Sequence, residues 1–209
     1  MIKFNSGGTV GDAYIILCKI ISSAAGGVLL SHFTKHPSCH NSIREIYNLI
    51  PNIKVNFTKS FKFPVLSGNF NQNEGYEYDF EPYPKFQLPI VDNLPKKYCV
   101  VQLSSGRPGK PRLLPDRIIK KAFQTSLPIV LLGTDSTLIE NAIDFRNKTS
   151  IAEAVSIINK ANEFTGYQGF LSWVALSQKI SSNIYAQSKS DKHAIKVRCQ
   201  YWTNYLKEI

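Results

Sequence analysis

Apolar and polar positions alternate along the first 60 residues in a pattern that predicts a sheet covered by helices. Short apolar strands at Ile2–Phe4, Val28–Leu30 and Ile53–Phe57 are separated by two helical segments. Ala13–Ile21 is apolar enough for a buried helix, and Ser42–Ile50 places its apolar residues on one helix face. This β-α-β-α-β order predicts a parallel sheet.

Residues 98–209 repeat the alternation over a longer stretch. The strand Tyr98–Leu103 is apolar at nearly every position, as expected when both faces are covered. Ser150 and Glu153 form a capping box ahead of a helix. The predicted buried stripe of that helix comprises Ile151, Ala154, Val155, Ile158 and Ala161. The other predicted elements are a helix from Pro115 to about Gln124, strands at Pro128–Leu132, Glu163–Thr165 and Asn183–Ala186, and helices at Ser136–Asn141, Gly169–Ser177 and Ser190–Lys207.

These elements predict an α/β protein with two Rossmann-like parallel-sheet units, residues 1–95 and residues 96–209. Residues 66–97 are rich in Asn, Gly, Pro and aromatic residues, and we expect a long loop and linker there. Ligands of such sheets bind beyond the carboxyl ends of the strands. That rule nominates the loops at 5–12, 103–112, 133–135 and 165–170.

The charge of the chain is uneven. The formal net charge is +10, of which residues 1–95 carry +1 and residues 96–209 carry +9. A basic second half favours a polyanionic or phosphorylated partner, nucleic acid included, although a basic surface that only confers solubility stays open. No apolar run approaches the roughly 20 residues of a membrane helix. The start MIKFNSGG lacks the layout of a signal peptide, so we expect a cytoplasmic protein.

Cysteine and histidine residues offer little for a metal ion. The four cysteines are far apart and form no CxxC pair, so we expect reduced thiols. His32, His36, Cys39 and His40 do cluster in sequence. We favour a polar helix start over a metal site, because no second pair of ligands follows.

The run SSGRPGKPR at residues 104–112 lies between a strand and a helix. Its small residues let a ligand approach the backbone, and Arg107, Lys110 and Arg112 offer cationic donors for a diphosphate. The spacing of a P-loop is absent. A solvated basic loop is the alternative, and the position at the end of a strand favours phosphate binding.

Two further turns are candidates for the site. The turn Gly166–Phe170 precedes a helix, where a phosphate can meet backbone N–H groups; a routine turn with glycines fits equally well. Trp173, one turn later, is expected in the core. Asp12 follows Gly7 and Gly8, and it is either a helix N-terminal residue favoured by the dipole or a general base.

Four segments together resemble a known family. GGTVGDAYIILCKI, VVQLSSGRPGKPRLLP, IVLLGT and TSIAEAVSIINKANEFTGYQGFLSWVALSQKISSNIYAQ look like heptosyltransferase-type glycosyltransferases, which have the GT-B fold of two Rossmann units facing a cleft. The resemblance covers most of residues 98–187 and roughly residues 1–25. It implies a minimal GT-B fold in which the second unit binds a nucleotide-sugar donor and the first unit binds the acceptor.

The resemblance also implies roles for individual residues. Asp12 falls at the catalytic aspartate that deprotonates the acceptor hydroxyl, with Gly8, Thr9 and His36 on the acceptor side. The implied donor-binding residues are Ser104, Ser105, Arg107, Lys110, Arg112, Gly133, Thr134, Gln168, Gly169, Phe170 and Leu171. Such enzymes need no metal or other cofactor, because the helix dipole and basic side chains stabilise the leaving diphosphate.

Departures from the family leave the substrates open. Many relatives carry an acidic residue where this chain has Gln168 and a histidine where it has Trp173, so the sugar is not specified. The chain is also shorter than typical members, and its first unit is cut to about three strands. Acceptor recognition must therefore differ, or a partner must complete the site; a homo-oligomer is one option for the assembly. We expect an inverting, metal-independent glycosyltransferase whose acceptor is a saccharide or DNA with a hydroxylated base. The DNA acceptor would make it a DNA-modifying enzyme of the kind that viruses encode. We expect it in the cytoplasm of a bacterium or of a virus-infected host cell. The alternative is a non-catalytic protein that binds a nucleotide or nucleotide sugar.

Overall fold

The computed structural model describes residues 1–60, 66, 80–107, 110–198 and 200–208. The side chains of residues 106, 107, 110, 111, 194 and 208 are not part of that description. The chain divides into two compact units, which we call unit 1 (Met1–Gln87) and unit 2 (Leu88–Ile209). The predicted linker at 66–97 contributes residues to both units, and its segment 67–79 lies outside the described residues.

Unit 1 has the predicted β-α-β-α-β order. Its described strands form one parallel sheet in the order β1-β2-β3. The elements are β1 (Ile2–Gly7), α1 (Val10–Ile20), β2 (Val28–Phe33), α2 (His40–Tyr47) and β3 (Ile53–Thr58). Leu66 bridges Ser6 on the other side of β1, so this strand has a neighbour on each side.

Helix α1 is the centre of the core of unit 1. Its residues from Ala13 to Cys18 are all fully buried, as is Lys19 in the last turn. A helix that is apolar on every face packs inside a protein. The carboxyl end of α1 suits a basic side chain such as Lys19, because the dipole there is negative.

Unit 2 contains the larger sheet. In the described residues six parallel strands lie in the order β11-β10-β9-β4-β7-β8. The strands are β4 (Cys99–Gln102), β7 (Ile129–Leu131), β8 (Ile143–Asp144), β9 (Glu163–Tyr167), β10 (Ser181–Tyr185) and β11 (Leu206–Glu208). The helices are α3 (Asp116–Ala122), α4 (Ile151–Asn159), α5 (Phe170–Ser177) and α6 (Lys189–Arg198).

The basic run at 104–112 is a hairpin rather than the loop we expected. Strands β5 (Ser104–Arg107) and β6 (Lys110–Leu113) pair antiparallel, with Ser105 opposite Arg112. Alternation is weak in this run, so sequence periodicity gives no strand signal. Pairing fixes the directions of the Ser104, Ser105 and Arg112 side chains, which an irregular loop would not do.

The expected helix at Ser136–Asn141 is wrong. The segment is irregular, and it leads into β8. Arg146 explains the difference, because its guanidinium donates to the carbonyl of Thr137 at 2.7 Å and holds that carbonyl away from a helical partner.

The C-terminal helix is shorter than expected. Helix α6 ends at Arg198 instead of continuing to Lys207, and β11 then pairs parallel to β10. Trp202 is fully buried between the two elements in sequence, so burial of its indole competes with continued helix.

The predicted helix α4 is confirmed in its detail. Ser150 accepts a hydrogen bond from the N–H of Glu153, and the carboxylate of Glu153 accepts one from the N–H of Ser150 at 2.7 Å. The expected apolar stripe is buried apart from half-exposed Ile151. Trp173 of α5 is fully buried, as expected for a core residue. No described helix is long and apolar enough to cross a membrane.

Candidate functional site

The sheet of unit 2 changes direction between β4 and β9. From β4 the chain runs through α3 to β7 on one side, and from β9 it runs through α5 to β10 on the other. Connections that leave two adjacent parallel strands in opposite directions open a crevice at their carboxyl ends, which is where ligands of open α/β sheets bind. We call this place the switch point.

Two serines of the hairpin tie it to the loops around the switch point. The hydroxyl of Ser105 donates to the carbonyl of Gln168 at 3.1 Å. The hydroxyl of Ser104 donates to the carboxylate of Asp135 at 3.4 Å. The structure therefore brings together the predicted donor-binding residues of the hairpin and of the turn after β9.

Arg112 is the basic hairpin residue whose side chain is described, and it has two contacts. Its Nη1 donates to Oδ1 of Asp191 at 3.0 Å, and its guanidinium lies 4.6 Å from the centre of the Tyr167 ring. The amide of Gln168 donates to the same Oδ1 at 3.4 Å. Two predicted donor-binding side chains thus share one carboxylate. The side chains of Arg107 and Lys110 lie outside the description.

Asp191 was not among the residues that the sequence suggested. It lies at the start of α6, where its Oδ2 accepts from the N–H of Ser188 at 3.1 Å. Burial raises the pKa of Asp191, but the hydrogen bond from Ser188 and the charge of Arg112 outweigh burial and hold the pKa below its usual range. The pair Ser188 and Asp191 has the spacing of a helix start, so the sequence signal indicated a cap and not a partner for Arg112.

The loop after β7 is held by a buried ion pair. Arg146 donates from Nη1 to Oδ1 of Asp135 at 2.6 Å, and both side chains are almost fully buried. Its guanidinium also donates two hydrogen bonds to the Asp144 carboxylate. Hydrogen bonding from the Arg146 side chain lowers the pKa of the Asp144 carboxyl to about 2. The arrangement fixes the turn that contains Gly133 and Thr134, two predicted donor-binding residues. Sequence periodicity could not identify Arg146, because its partner Asp135 is eleven residues away along the chain.

Glycines let the backbone approach closely at this edge of the sheet. A Cβ on Gly166 would lie 2.7 Å from the Phe164 ring and 2.9 Å from Cβ of Gln102. Gly169 has a φ of +158°, and a Cβ there would lie 3.2 Å from Oγ of Ser105. Glycine at position 166 therefore leaves room in β9 for Phe164 and Gln102 to pack. Gly169 adopts the backbone conformation of the turn into α5.

The N-terminus of α5 faces this turn without a side-chain cap from Gly169. The hydroxyl of Ser172 accepts from the N–H of Gly169 at 2.9 Å, while the carbonyl of Gly169 accepts the first helical bond, from Trp173. Glycine offers no side-chain acceptor to the following N–H groups, so the end of the helix keeps its positive dipole. Phe170 is half-buried, and Leu171 is buried in the core.

Two buried polar atoms of unit 2 have no hydrogen-bond partner among the described residues. They are Oε1 of Gln102, the last residue of β4, and Nε1 of Trp173. Such atoms cost about 1–3 kcal/mol each. Gln102 is next to Gly133 and Gly166 at the carboxyl ends of three strands, and it was missed because it ends an otherwise apolar run.

Asp12 of unit 1 closes the N-terminus of α1. Its Oδ2 accepts from the N–H of Thr9 at 2.8 Å and from the Thr9 hydroxyl at 3.0 Å. Gly8 has a φ of +131°, and a Cβ there would lie 2.5 Å from Asp12. Asp12 lies beyond the end of β1, with its charge at the positive end of helix α1. This position fits both a residue that stabilises the helix N-terminus and a general base.

A buried polar network supports the turn before α1. Nδ1 of His32 lies 2.9 Å from Oγ of Ser6 and 3.2 Å from the hydroxyl of Tyr47, while Nε2 lies 3.4 Å from the carbonyl of Gly8. Burial lowers the pKa of His32 to about 4, so the ring is neutral at neutral pH. His36, the predicted acceptor-side residue, is half-buried, and its N–H donates to the hydroxyl of Thr34.

The cysteine and histidine residues are not grouped as metal ligands in the part of the chain that the structure describes. Cys18, Cys39 and Cys99 are free thiols, and Cys199 lies outside the described residues. Burial, with the nearby charge of Glu163, raises the pKa of the Cys99 thiol to about 12, which makes it a poor nucleophile.

A cavity of about 430 Å³ lies elsewhere in unit 2. Its lining includes Arg117 and Lys121 of α3, Thr165 of β9 and Asn183 of β10. It contains none of the predicted site residues, so the candidate site rests on the loops at the switch point and not on this cavity.

Comparison with solved structures gives three similar folds. TibC, a bacterial iron-containing dodecameric glycosyltransferase from enterotoxigenic E. coli H10407, matches with a TM-score of 0.55 and 13% identity over 88% of this chain. Heptosyltransferase TibC in complex with ADP-D-beta-D-heptose matches with a TM-score of 0.52 and 14% identity, also over 88% of this chain. A glycosyl transferase family 9 protein from Veillonella parvula DSM 2008 matches over the whole chain, with a TM-score of 0.59 and 8% identity.

The chain has the fold of these glycosyltransferases. The predicted α/β class and the GT-B-like resemblance are therefore confirmed at the level of the fold. The chain spans 59% and 58% of the two TibC chains and 85% of the Veillonella chain. No protein-family model and no curated protein matches the sequence.

Proposed function

We propose that this protein is an inverting glycosyltransferase that uses a nucleotide-diphosphate sugar. The observation that carries the proposal is the convergence at the switch point of unit 2. There the serines of the hairpin, the guanidinium of Arg112, the Gly133 turn and the N-terminus of α5 meet at the ends of adjacent strands. Cationic and N–H donors in such a crevice suit a diphosphate.

In this proposal residues of unit 2 hold the donor. Arg112, with Arg107 and Lys110 of the same hairpin, neutralises the diphosphate, and the dipole of α5 after Gln168 and Gly169 adds to that field. Ser104 and Ser105 position the hairpin. Gly133 and Thr134 lie beside the nucleoside, and Phe170 and Leu171 complete the wall next to the sugar. These groups supply the positive charge that stabilises the leaving diphosphate.

Unit 1 supplies the base and the acceptor contacts. A carboxylate oxygen of Asp12 takes the proton of the acceptor hydroxyl as the acceptor oxygen bonds to the anomeric carbon. The bond from that carbon to the diphosphate breaks at the same time, and its electron pair leaves with the nucleoside diphosphate. Gly8, Thr9 and His36 contact the acceptor. Attack from the face opposite the leaving group inverts the anomeric configuration.

The test of the base is Asp12→Asn. An asparagine still accepts the hydrogen bonds from Thr9, so the start of α1 is kept while the proton acceptor is lost. We expect turnover to fall by about 10²–10⁴-fold with donor affinity unchanged. Asp116→Asn, at the exposed start of α3, is the matched control and should retain full activity. Unchanged turnover in Asp12→Asn would show that Asp12 is not the base.

A panel of nucleotide sugars tests the donor. We expect one nucleotide sugar to bind in calorimetry and to be transferred or slowly hydrolysed. Arg112→Ala should weaken its binding without unfolding the protein, because the Arg112 side chain is one-third exposed. Failure of every nucleotide sugar to bind would contradict the proposed function.

A non-catalytic nucleotide binder is the second candidate. It is favoured by the contacts of Asp12, whose Oδ2 already accepts two hydrogen bonds at the helix start. It is also favoured by Gln168, which replaces the acidic residue of many relatives. Such a protein would bind a nucleotide sugar in the same panel and release no free sugar or glycoside.

The acceptor is either a saccharide or a nucleic acid with a hydroxylated base. The net charge of +10, concentrated in the second half, supports the second option. Fluorescence anisotropy with labelled duplex DNA at low salt separates the two. Binding that weakens steeply with added salt supports a DNA acceptor, and no binding at low salt removes it.

A further inference from the structure

Asp191 has two oxygens with separate roles. Oδ2 accepts from the N–H of Ser188 and so caps α6. Oδ1 accepts from Nη1 of Arg112 at 3.0 Å and from the amide of Gln168 at 3.4 Å. The side chain is 12% exposed, so its charge is little screened by water.

Arg112 is in a position to contact more than one anion. Its side chain is 34% exposed, and its guanidinium carbon lies over the Tyr167 ring, 4.6 Å from the ring centre. A guanidinium has five N–H donors, so the exposed part of this side chain can meet an anion that approaches from the switch point. A diphosphate at the switch point therefore competes with Asp191 for the same cation.

We propose that Asp191 is a positioning residue that sets how tightly unit 2 holds a diphosphate. The proposal rests on the proposed function and acts through Arg112. Asp191 holds the guanidinium of Arg112 and competes with the diphosphate for it, so it weakens binding of the anion. Its removal should therefore strengthen binding, which is the opposite of what loss of a structural contact does.

Asp191 should weaken binding of the nucleoside diphosphate product more than binding of the nucleotide-sugar donor. The terminal phosphate of a free nucleoside diphosphate has a second ionisation with a pKa of about 6. In a nucleotide sugar that oxygen is esterified, so the donor carries less negative charge than the product. The product therefore depends more on Arg112 than the donor does, and competition from Asp191 favours its release after transfer, a step that limits turnover in many enzymes.

The experiment compares anion affinity in wild type and Asp191→Asn by calorimetry. The probes are pyrophosphate, ADP and UDP as free diphosphates, and ADP-glucose and UDP-glucose as donors. Asparagine keeps an oxygen for Ser188 and removes the charge. We expect pyrophosphate and the nucleoside diphosphate that binds wild type to bind about five- to twentyfold more tightly, near the low end for charge pairs in contact because Asp191 acts through Arg112. The matching nucleotide sugar should gain less.

Two controls isolate the route through Arg112. Asp116→Asn removes an exposed carboxylate at the start of α3 and should leave all affinities unchanged. In an Arg112→Ala background, Asp191→Asn should give no gain. Asp191→Ser is a second neutral variant with the same expected result, in case the asparagine variant fails to fold.

The outcomes separate this inference from the proposed function. If a diphosphate binds wild type and Asp191→Asn binds it equally or more weakly, the inference is overturned while the function stands. A gain that persists without Arg112 also overturns it. If neither the free diphosphates nor the nucleotide sugars bind wild type or the variants, both proposals fail.

Discussion

Arg146 is a charged side chain whose importance is visible only in three dimensions. Its guanidinium joins two acidic residues, and its side chain and that of Asp135 are 6% and 4% exposed. Removing one member of such a pair leaves a buried charge without compensation. The turn at Gly133 depends on this contact, so the stability of the protein and the geometry of the candidate site are linked at one residue.

We expect Arg146→Met to lower the free energy of unfolding by about 3–5 kcal/mol. The control is Lys207→Met, which removes an ion pair between side chains that are 50% (Lys207) and 37% (Glu163) exposed. Its loss should lower the free energy of unfolding by less than about 1 kcal/mol. Urea denaturation measures both. The double variant Asp135→Asn, Arg146→Met should recover part of the loss. Equal effects of the two single variants would contradict a buried pair.

The lowered pKa of buried His32 leads us to expect that the protein loses stability in mild acid. Burial lowers its pKa from 6.5 to about 4, so the unfolded chain binds a proton at a higher pH than the folded chain does. Stability due to the neutral ring is complete above the unfolded pKa and is lost as the pH falls toward 4. Between about pH 7.5 and pH 4.5 this loss is roughly 2–3 kcal/mol.

Urea denaturation at both pH values checks this expectation. His32→Gln cannot take up the proton, so its stability should change less over the interval than that of wild type. His36→Gln, at a half-buried position, should retain the wild-type pH dependence. A pH dependence that is unaltered in His32→Gln would assign the acid loss to other groups.

At the scale of elements, strand β9 depends on Gly166, because no room is left for a side chain there. We expect Gly166→Ala to destabilise the protein by about 1–3 kcal/mol, because its Cβ would overlap Phe164 and Gln102. Gly26→Ala is the matched control, since nothing lies within 4 Å of a Cβ there, and its effect should stay within about 0.5 kcal/mol. Thermal unfolding of the two variants side by side measures the difference. Similar melting temperatures would show that β9 adjusts to the methyl group.

The hairpin β5-β6 is the other element that decides the site. It carries Ser104 and Ser105 on one strand and Arg112 on the other. Antiparallel pairing places Ser105 opposite Arg112, so the hydroxyl that reaches the turn after β9 and the guanidinium that reaches α6 come from one hairpin. An irregular loop of the same composition would not fix these contacts.

At the scale of the molecule, the chain consists of two compact units with separate sheets. The proposed function assigns the donor to unit 2. Hydrogen exchange with the best-binding nucleoside diphosphate should therefore show added protection at residues 103–107, 133–137 and 166–172 of unit 2. Asp12→Asn should give the same pattern, because that residue belongs to unit 1.

Binding in the cavity beside α3 would give a different pattern of protection. Protection at Arg117, Lys121 and Tyr185 instead of the switch-point loops would place the ligand in the cavity. That result would show that a ligand binds to unit 2, but it would contradict binding at the carboxyl ends of the strands.

The sequence by itself determined the class of fold and the position of most elements. Periodicity is a local property, so the βα alternation, the capping box at Ser150 and the burial of Trp173 follow from neighbouring residues. The carboxyl ends of strands could likewise be located from the order of elements. That is why the loops at 103–112 and 165–170 were candidates, while the resemblance to heptosyltransferase-type enzymes added Ser104, Ser105 and Gln168 within them.

Only the tertiary structure decided which side chains meet. Arg112 and Asp191 are 79 residues apart, and Ser105 and Gln168 are 63 apart, so no local pattern links either pair. The irregular segment after Gly133 and the early end of α6 were missed for the same reason. The buried guanidinium of Arg146 and the buried indole of Trp202 overrode the local preference for helix.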